Sequence, residues 1–109
     1  MERMDKLWEE RVDNSFGSNL SERPTSYLKD RVIGCIFDDE TGLANRDRIG
    51  RELITFETDY PHADSTFPDT EKIATQICVD AGLSESEVYA LMRGNAIRAF
   101  GLERFGVEA

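Results

Sequence analysis

Leu53-Ile54-Thr55-Phe56-Glu57-Thr58-Asp59-Tyr60-Pro61-His62 is an apolar run that ends in a carboxylate, a ring-locked proline and the chain's one histidine. Its β-branched and aromatic residues read as a buried strand, which puts Asp59 at the strand's C-terminal tip. In parallel α/β folds, residues for catalysis or metal binding sit where strands end, because the loops there surround a common pocket and the strands hold them in place. Asp59 is therefore the first candidate site residue. Taken alone, the same letters also spell a turn: an Asp ahead of Pro61 opens one readily, and His62 is then an ordinary loop side chain.

Upstream, Val32-Ile33-Gly34-Cys35-Ile36-Phe37 is apolar at consecutive positions and ends in Asp38-Asp39. The absence of alternation predicts a strand buried on both faces. Between the two runs lies Glu40 to Arg51, with Gly42, Gly50 and the charged Asn45-Arg46-Asp47-Arg48, which is enough for one or two helical turns. A hairpin would not need a dozen intervening residues, so the connection predicts a right-handed parallel crossover. The expected fold class is α/β, with two parallel strands near residues 31–38 and 52–58.

Downstream, Ile73, Ala74, Ile77, Cys78 and Ala81 mark the buried stripe of a helix, which Asp69 or Thr70 is placed to cap and Gly82 to stop. Ser84-Glu85-Ser86-Glu87 spells a capping box, with Leu83 and Val88 as its hydrophobic staple. Val88, Leu91 and Met92 give this next helix its buried face. Gly94 is placed to bend or end it before a last short helix over Asn95 to Phe100. At the other end of the chain, Met1, Met4, Leu7, Trp8 and Val12 recur at helical spacing, with no residue ahead of them to serve as N-cap. A polar connection over Asn14 to Pro24 follows, then Pro24-Thr25-Ser26-Tyr27-Leu28 reads as a short turn or helical start.

Composition narrows the function. The formal net charge of -9 repels phosphate backbones and anionic lipid, which argues against nucleic-acid or membrane partners. There is neither an apolar run of about 18 residues nor a signal-peptide pattern, so a cytoplasmic location is expected. Cys35 and Cys78 lie inside apolar patterns far apart in sequence and read as buried free thiols.

Two buried-type strands cannot satisfy each other, because each needs a hydrogen-bonded neighbour on its outer side. A closed (β/α)₈ barrel takes about 250 residues, and two strand-helix units are a fraction of one.

Ile54-Thr55-Phe56-Glu57-Thr58-Asp59-Tyr60-Pro61-His62, followed by Asp64-Ser65-Thr66-Phe67-Pro68, resembles the eighth-strand motif of the amidohydrolase superfamily. It is similar in particular to the amidohydrolase-related branch that includes aminocarboxymuconate-semialdehyde decarboxylase. Phe67 stands where that motif usually has Trp. Phe37-Asp38-Asp39, Arg48-Ile49-Gly50, Gly94-Asn95-Ala96, Met4-Asp5-Lys6-Leu7-Trp8 and Pro24-Thr25-Ser26-Tyr27 extend the resemblance, in order, through essentially the whole chain.

The resemblance implies the last two strand-helix units of a TIM barrel plus C-terminal helices, with residues 1–109 as the C-terminal segment of a barrel domain. It implies a divalent metal, zinc above all, and a small-molecule substrate. Asp59 would be the catalytic and metal-binding residue, holding the metal or taking a proton from its bound water. His62 would either line the pocket or pack the loop. Glu57 and Thr58 would flank the strand tip, and Asn95 would cap a helix. The expected reaction is hydrolysis of an amide or ester, or non-oxidative decarboxylation of a small carboxylate. The family's other metal-binding histidines have no counterpart, since His62 is the only histidine, and one carboxylate cannot hold a catalytic zinc. Inactivity of the chain alone is therefore expected, together with self-association or association with the missing barrel segment. The alternative is a non-catalytic oligomerisation or partner-binding module derived from the barrel.

Overall fold

The computed structural model describes residues 2–10 and 20–108. These divide into two compact units, residues 1–32 and 33–109. In the first, helix α1 (Glu2–Glu10) is followed by a 3₁₀ turn, Pro24–Tyr27, as the proline at its start suggests. Asp5 ties the two together, its carboxylate accepting from the Thr25 amide at 3.0 Å and the Thr25 hydroxyl at 2.5 Å. The Thr25 hydroxyl bond holds Asp5 below the usual carboxylate range. No residue of α1 is buried. Met1 and Val12 of the predicted stripe, and residues 14–19 of the predicted connection, lie outside the described residues.

The second unit is built on two strands, β1 (Gly34–Ile36) and β2 (Ile54–Phe56), paired in parallel with Gly34 opposite Ile54 and Ile36 opposite Phe56. The crossover carries helices α2 (Glu40–Ala44) and α3 (Arg46–Ile49) and a 3₁₀ turn at Arg51–Leu53. The predicted parallel pair is present, and this much of the α/β expectation holds. Both strands are shorter than expected. The 3₁₀ turn takes residues 51–53, and Val32 is exposed, so the regular ladder spans three residues of each strand.

Burial on both faces holds for β2, where Ile54 and Thr55 are both buried, but not for β1, where only Ile36 is. Side chains alternate across a strand, so Ile36, Ile54 and Phe56 share one face while Cys35, Thr55 and Glu57 share the other. The first face is covered: Ile36 and Ile54 join Leu43, Cys78 and Leu91 in the core, with Phe56, Leu83 and Val88 packed against it. On the second face Thr55 is buried, Glu57 half-buried and Cys35 exposed. The reading of Cys35 as buried is thus corrected, because its apolar neighbours in sequence point the other way. Cys78 is buried as expected.

Helix α4 (Thr70–Asp80) ends where Gly82 takes a left-handed φ of 61°. There the Leu83 amide donates to the Cys78 carbonyl and the Gly82 amide to the Val79 carbonyl, both at 3.0 Å. This pair of bonds is a Schellman ending. Asp69 takes the N-cap position but makes no side-chain cap bond, contrary to expectation. Helix α5 (Glu85–Tyr89) begins in the predicted capping box, complete on both sides.

Gly94 does not end the helical run. The chain runs through a π-helical turn, Ala90–Gly94, directly into α6 (Asn95–Phe100), and stops at Gly101 in the left-handed conformation. A Cβ at 94 would sit 2.8 Å from Tyr89 Cε1, so any side chain there would push the Tyr89 ring aside.

Candidate functional site

Asp59 lies three residues beyond β2, at its C-terminal end, as the sequence predicts. The strand's reach extends past its ladder, since the Glu57 amide still donates to the Ile36 carbonyl at 2.9 Å. The chain then turns sharply. Asp59 takes a φ of 56°, a left-handed conformation that Asp and Asn tolerate better than most residues. The His62 amide donates to the Asp59 carbonyl at 2.8 Å, closing a turn that contains the cis Tyr60–Pro61 peptide. Both readings of the opening stretch therefore coexist: Asp59 ends a strand and begins a turn.

The turn brings the two candidate residues together. Asp59 Oδ2 lies 3.2 Å from His62 Nδ1, with side chains 40% and 66% exposed respectively, so solvent reaches both. The Asp64 amide also donates to Nδ1, at 3.3 Å.

Thr66 holds the loop shut, a role the sequence reading missed although it quoted the residue. It is buried, its amide and hydroxyl donate to the Thr58 carbonyl at 3.1 and 3.3 Å, and its hydroxyl meets that of Thr70 at 3.0 Å. Residues 58–66 are thereby a closed loop anchored to the start of α4. The Tyr60 and Phe67 rings lean on each other on its outside, with centroids 4.8 Å apart and both side chains exposed. Phe67, the departure from the usual motif, thus still makes an aromatic contact.

Behind Asp59, the second sheet face is polar, made of Cys35, Thr55 and Glu57. The Cys35 thiol is hydrogen-bonded to the Glu57 carboxylate, which pushes it up from the usual thiol range, with burial and the negative charges of Glu57 and Asp59 adding in the same direction. A thiol held in its neutral form is a poor nucleophile.

Asn95 does not cap a helix. It is buried inside the continuous helical run, and its amide donates to the carbonyls of Arg51 and Ile54, both at 2.7 Å. It grips β2 at the end remote from Asp59. At that same end Glu87 accepts from Arg46 Nε at 3.2 Å and Arg51 Nη1 at 2.9 Å, beside a cavity of about 110 Å³ floored by Leu43, Ile54 and Leu91.

Among the described residues, no three His, Cys, Asp or Glu side chains converge as metal ligands. Nor is any described helix long and apolar enough to cross a membrane. No curated protein matches the chain. The family model described as amidohydrolase, however, matches residues 1–102, nearly the whole length on which the strand-tip aspartate and its closed loop are built, and the chain belongs to that family.

Proposed function

We propose that this chain forms one wall of a metal-dependent amidohydrolase-type barrel and supplies Asp59 to its active site. The observation that carries the reading is that the helices pack their apolar side chains on one face of the sheet and leave the other polar. In a (β/α)₈ barrel, helices cover the outer face of the strands and the other face lines the interior. Here the helices pack on the Ile36, Ile54 and Phe56 face, while Cys35, the buried Thr55 and Glu57 look the other way. Asp59 stands at the C-terminal end of the same strand, where such barrels do their chemistry.

A divalent cation in that site would supply Lewis acidity to polarise a carbonyl or carboxylate and a water. A carboxylate oxygen suits it, but a catalytic zinc takes three protein ligands, and Asp59 is joined by His62 alone. The described residues therefore fit part of a metal site and not a whole one. What Asp59 does by itself is hold or move a proton at its carboxylate, beside the reacting group and in reach of water. The reaction class is hydrolysis of an amide or ester, or non-oxidative decarboxylation of a small carboxylate. On this reading the 109-residue chain is inactive alone.

Co-expression with the other strand-helix units of an amidohydrolase-type barrel tests the reading. Metal-dependent turnover should appear only in the combination, and Asp59→Asn should lower it by about 100-fold or more, the lower range for a lost general base. Turnover by the chain alone, or a combination indifferent to Asp59→Asn, would refute it. Association with no Asp59-dependent turnover would favour the non-catalytic, partner-binding module instead.

A further inference from the structure

We infer that the cavity at the N-terminal end of β2 is a binding site for a small uncharged aromatic molecule, a single ring about the size of benzene. The site stands apart from Asp59 and does not rest on the reading of that residue.

Three observations carry it. First, Leu43, Ile54 and Leu91, at 2%, 4% and 5% exposure, floor a cavity of about 110 Å³ that opens to solvent. A cavity of about 150 Å³ lined by Leu, Ile and Phe stays dry and binds benzene. Water on this floor finds no hydrogen-bond partner, whereas a ring restores the dispersion contacts that the lining lacks.

Second, the charges at the mouth already match one another. Glu87 accepts from Arg46 Nε at 3.2 Å and from Arg51 Nη1 at 2.9 Å, and Arg51 Nε also donates to Asp47. A ligand carboxylate would come up against Glu87, and a ligand ammonium against both arginines. The balanced mouth therefore favours a neutral molecule.

Third, the same arginines favour an aromatic ring over an aliphatic one. Arg46 is held by Glu87 and by its Nη1 donating to the Leu43 carbonyl at 3.0 Å, and its side chain is only 22% exposed. It lines the cavity, so a ring seated there lies against a partly desolvated guanidinium. Desolvation strengthens a cation–π contact. Cyclohexane fills the same space without that contact.

The test uses the 109-residue chain with benzene, cyclohexane and benzoate in turn, read from the methyl signals of the nuclear magnetic resonance spectrum. Benzene should move the Leu43, Ile54 and Leu91 methyl signals saturably. It should bind about threefold or more tighter than cyclohexane and about tenfold or more tighter than benzoate. Ala90 also lines the cavity, and Leu is nearly as good a helix former, so Ala90→Leu should fill the space and weaken benzene binding by about tenfold or more. Unmoved methyl signals, or benzoate bound as tightly as benzene, would overturn the inference. Cyclohexane bound as tightly as benzene would overturn the aromatic selection by Arg46. Undiminished binding in an Ala90→Leu variant with the parent's circular dichroism spectrum would place the ring elsewhere and overturn the site. If Ala90→Leu does not fold, nuclear Overhauser contacts in the parent decide the location: contacts from benzene to the Leu43 and Leu91 methyls support the site, and their absence overturns it.

Discussion

Replacing Asn95 with Ala separates a tertiary clamp from a residue that merely occupies a helix. Asn95 sits inside a continuous helical run, where Asn is a weaker helix former than Ala by up to about 0.7 kcal/mol. If its side chain made no bonds, Asn95→Ala would therefore be neutral or stabilising. The structure gives the opposite sign. Its amide donates to the Arg51 and Ile54 carbonyls at 2.7 Å each, and Asn95 and Ile54 are both buried, at 6% and 4% exposure. Two such bonds contribute about 0.5–1.5 kcal/mol each, and a buried carbonyl stripped of its donor costs about 1–3 kcal/mol. Less the propensity gain, Asn95→Ala should destabilise by about 2–4 kcal/mol. Against a total of about 5–15 kcal/mol for a native domain, that is a large loss.

Urea unfolding followed by circular dichroism reads this as a lower midpoint at constant slope. Asn95→Asp should be at least as damaging, because a carboxylate cannot donate to either carbonyl. A midpoint for Asn95→Ala equal to or above that of the parent would refute the clamp and return Asn95 to a passive helix position.

Two further outcomes follow from the ionisable groups. Hydrogen bonds from the Ser84 amide and hydroxyl, then Arg46, hold the Glu87 carboxyl down to about 2 from an ordinary 4.5. A group with a depressed folded pKa stabilises above its unfolded pKa, so thermal stability should fall as pH drops from about 4.5 toward 2. That acid-range loss should shrink in Glu87→Gln, and an identical pH profile in the variant would contradict the assignment. Among the thiols, Cys35 is exposed but pushed up by its bond to Glu57, and Cys78 is buried. At pH 8 a disulfide reagent should titrate one thiol, slowly, and Glu57→Gln should speed it; prompt reaction of both thiols in the folded chain would contradict the structure.

Features set by near neighbours in sequence were legible. The Ser84 capping box, the Gly82 helix stop and the Asp59 turn each depend on a handful of consecutive residues, and each formed as read. The parallel pairing was legible because only a crossover accounts for a dozen residues between two apolar runs. Strand length and facing were not, because they depend on what packs against the strand. Val32-Ile33-Gly34-Cys35-Ile36-Phe37 is uniformly apolar, yet the helices cover only one side of it. Asn95 was unreadable for a related reason: its partners lie 44 and 41 residues away, and no local pattern distinguishes a capping Asn from one that reaches across the fold.

The two ends of β2 are secured by different physics, and that difference bears on the site. At the N-terminal end, a buried amide on a helix holds the strand through contacts that need the whole unit folded. At the C-terminal end, the loop carrying Asp59 and His62 is closed by Thr58, Thr66 and Thr70, all within a dozen residues and partly open to solvent. The spacing of the carboxylate and the imidazole therefore owes little to what lies against the polar sheet face. A strand paired to either edge, or side chains set opposite Cys35 and Glu57, could complete the site without first rebuilding this turn. Local closure keeps Asp59 and His62 in place, and the distant clamp keeps the strand beneath them aligned.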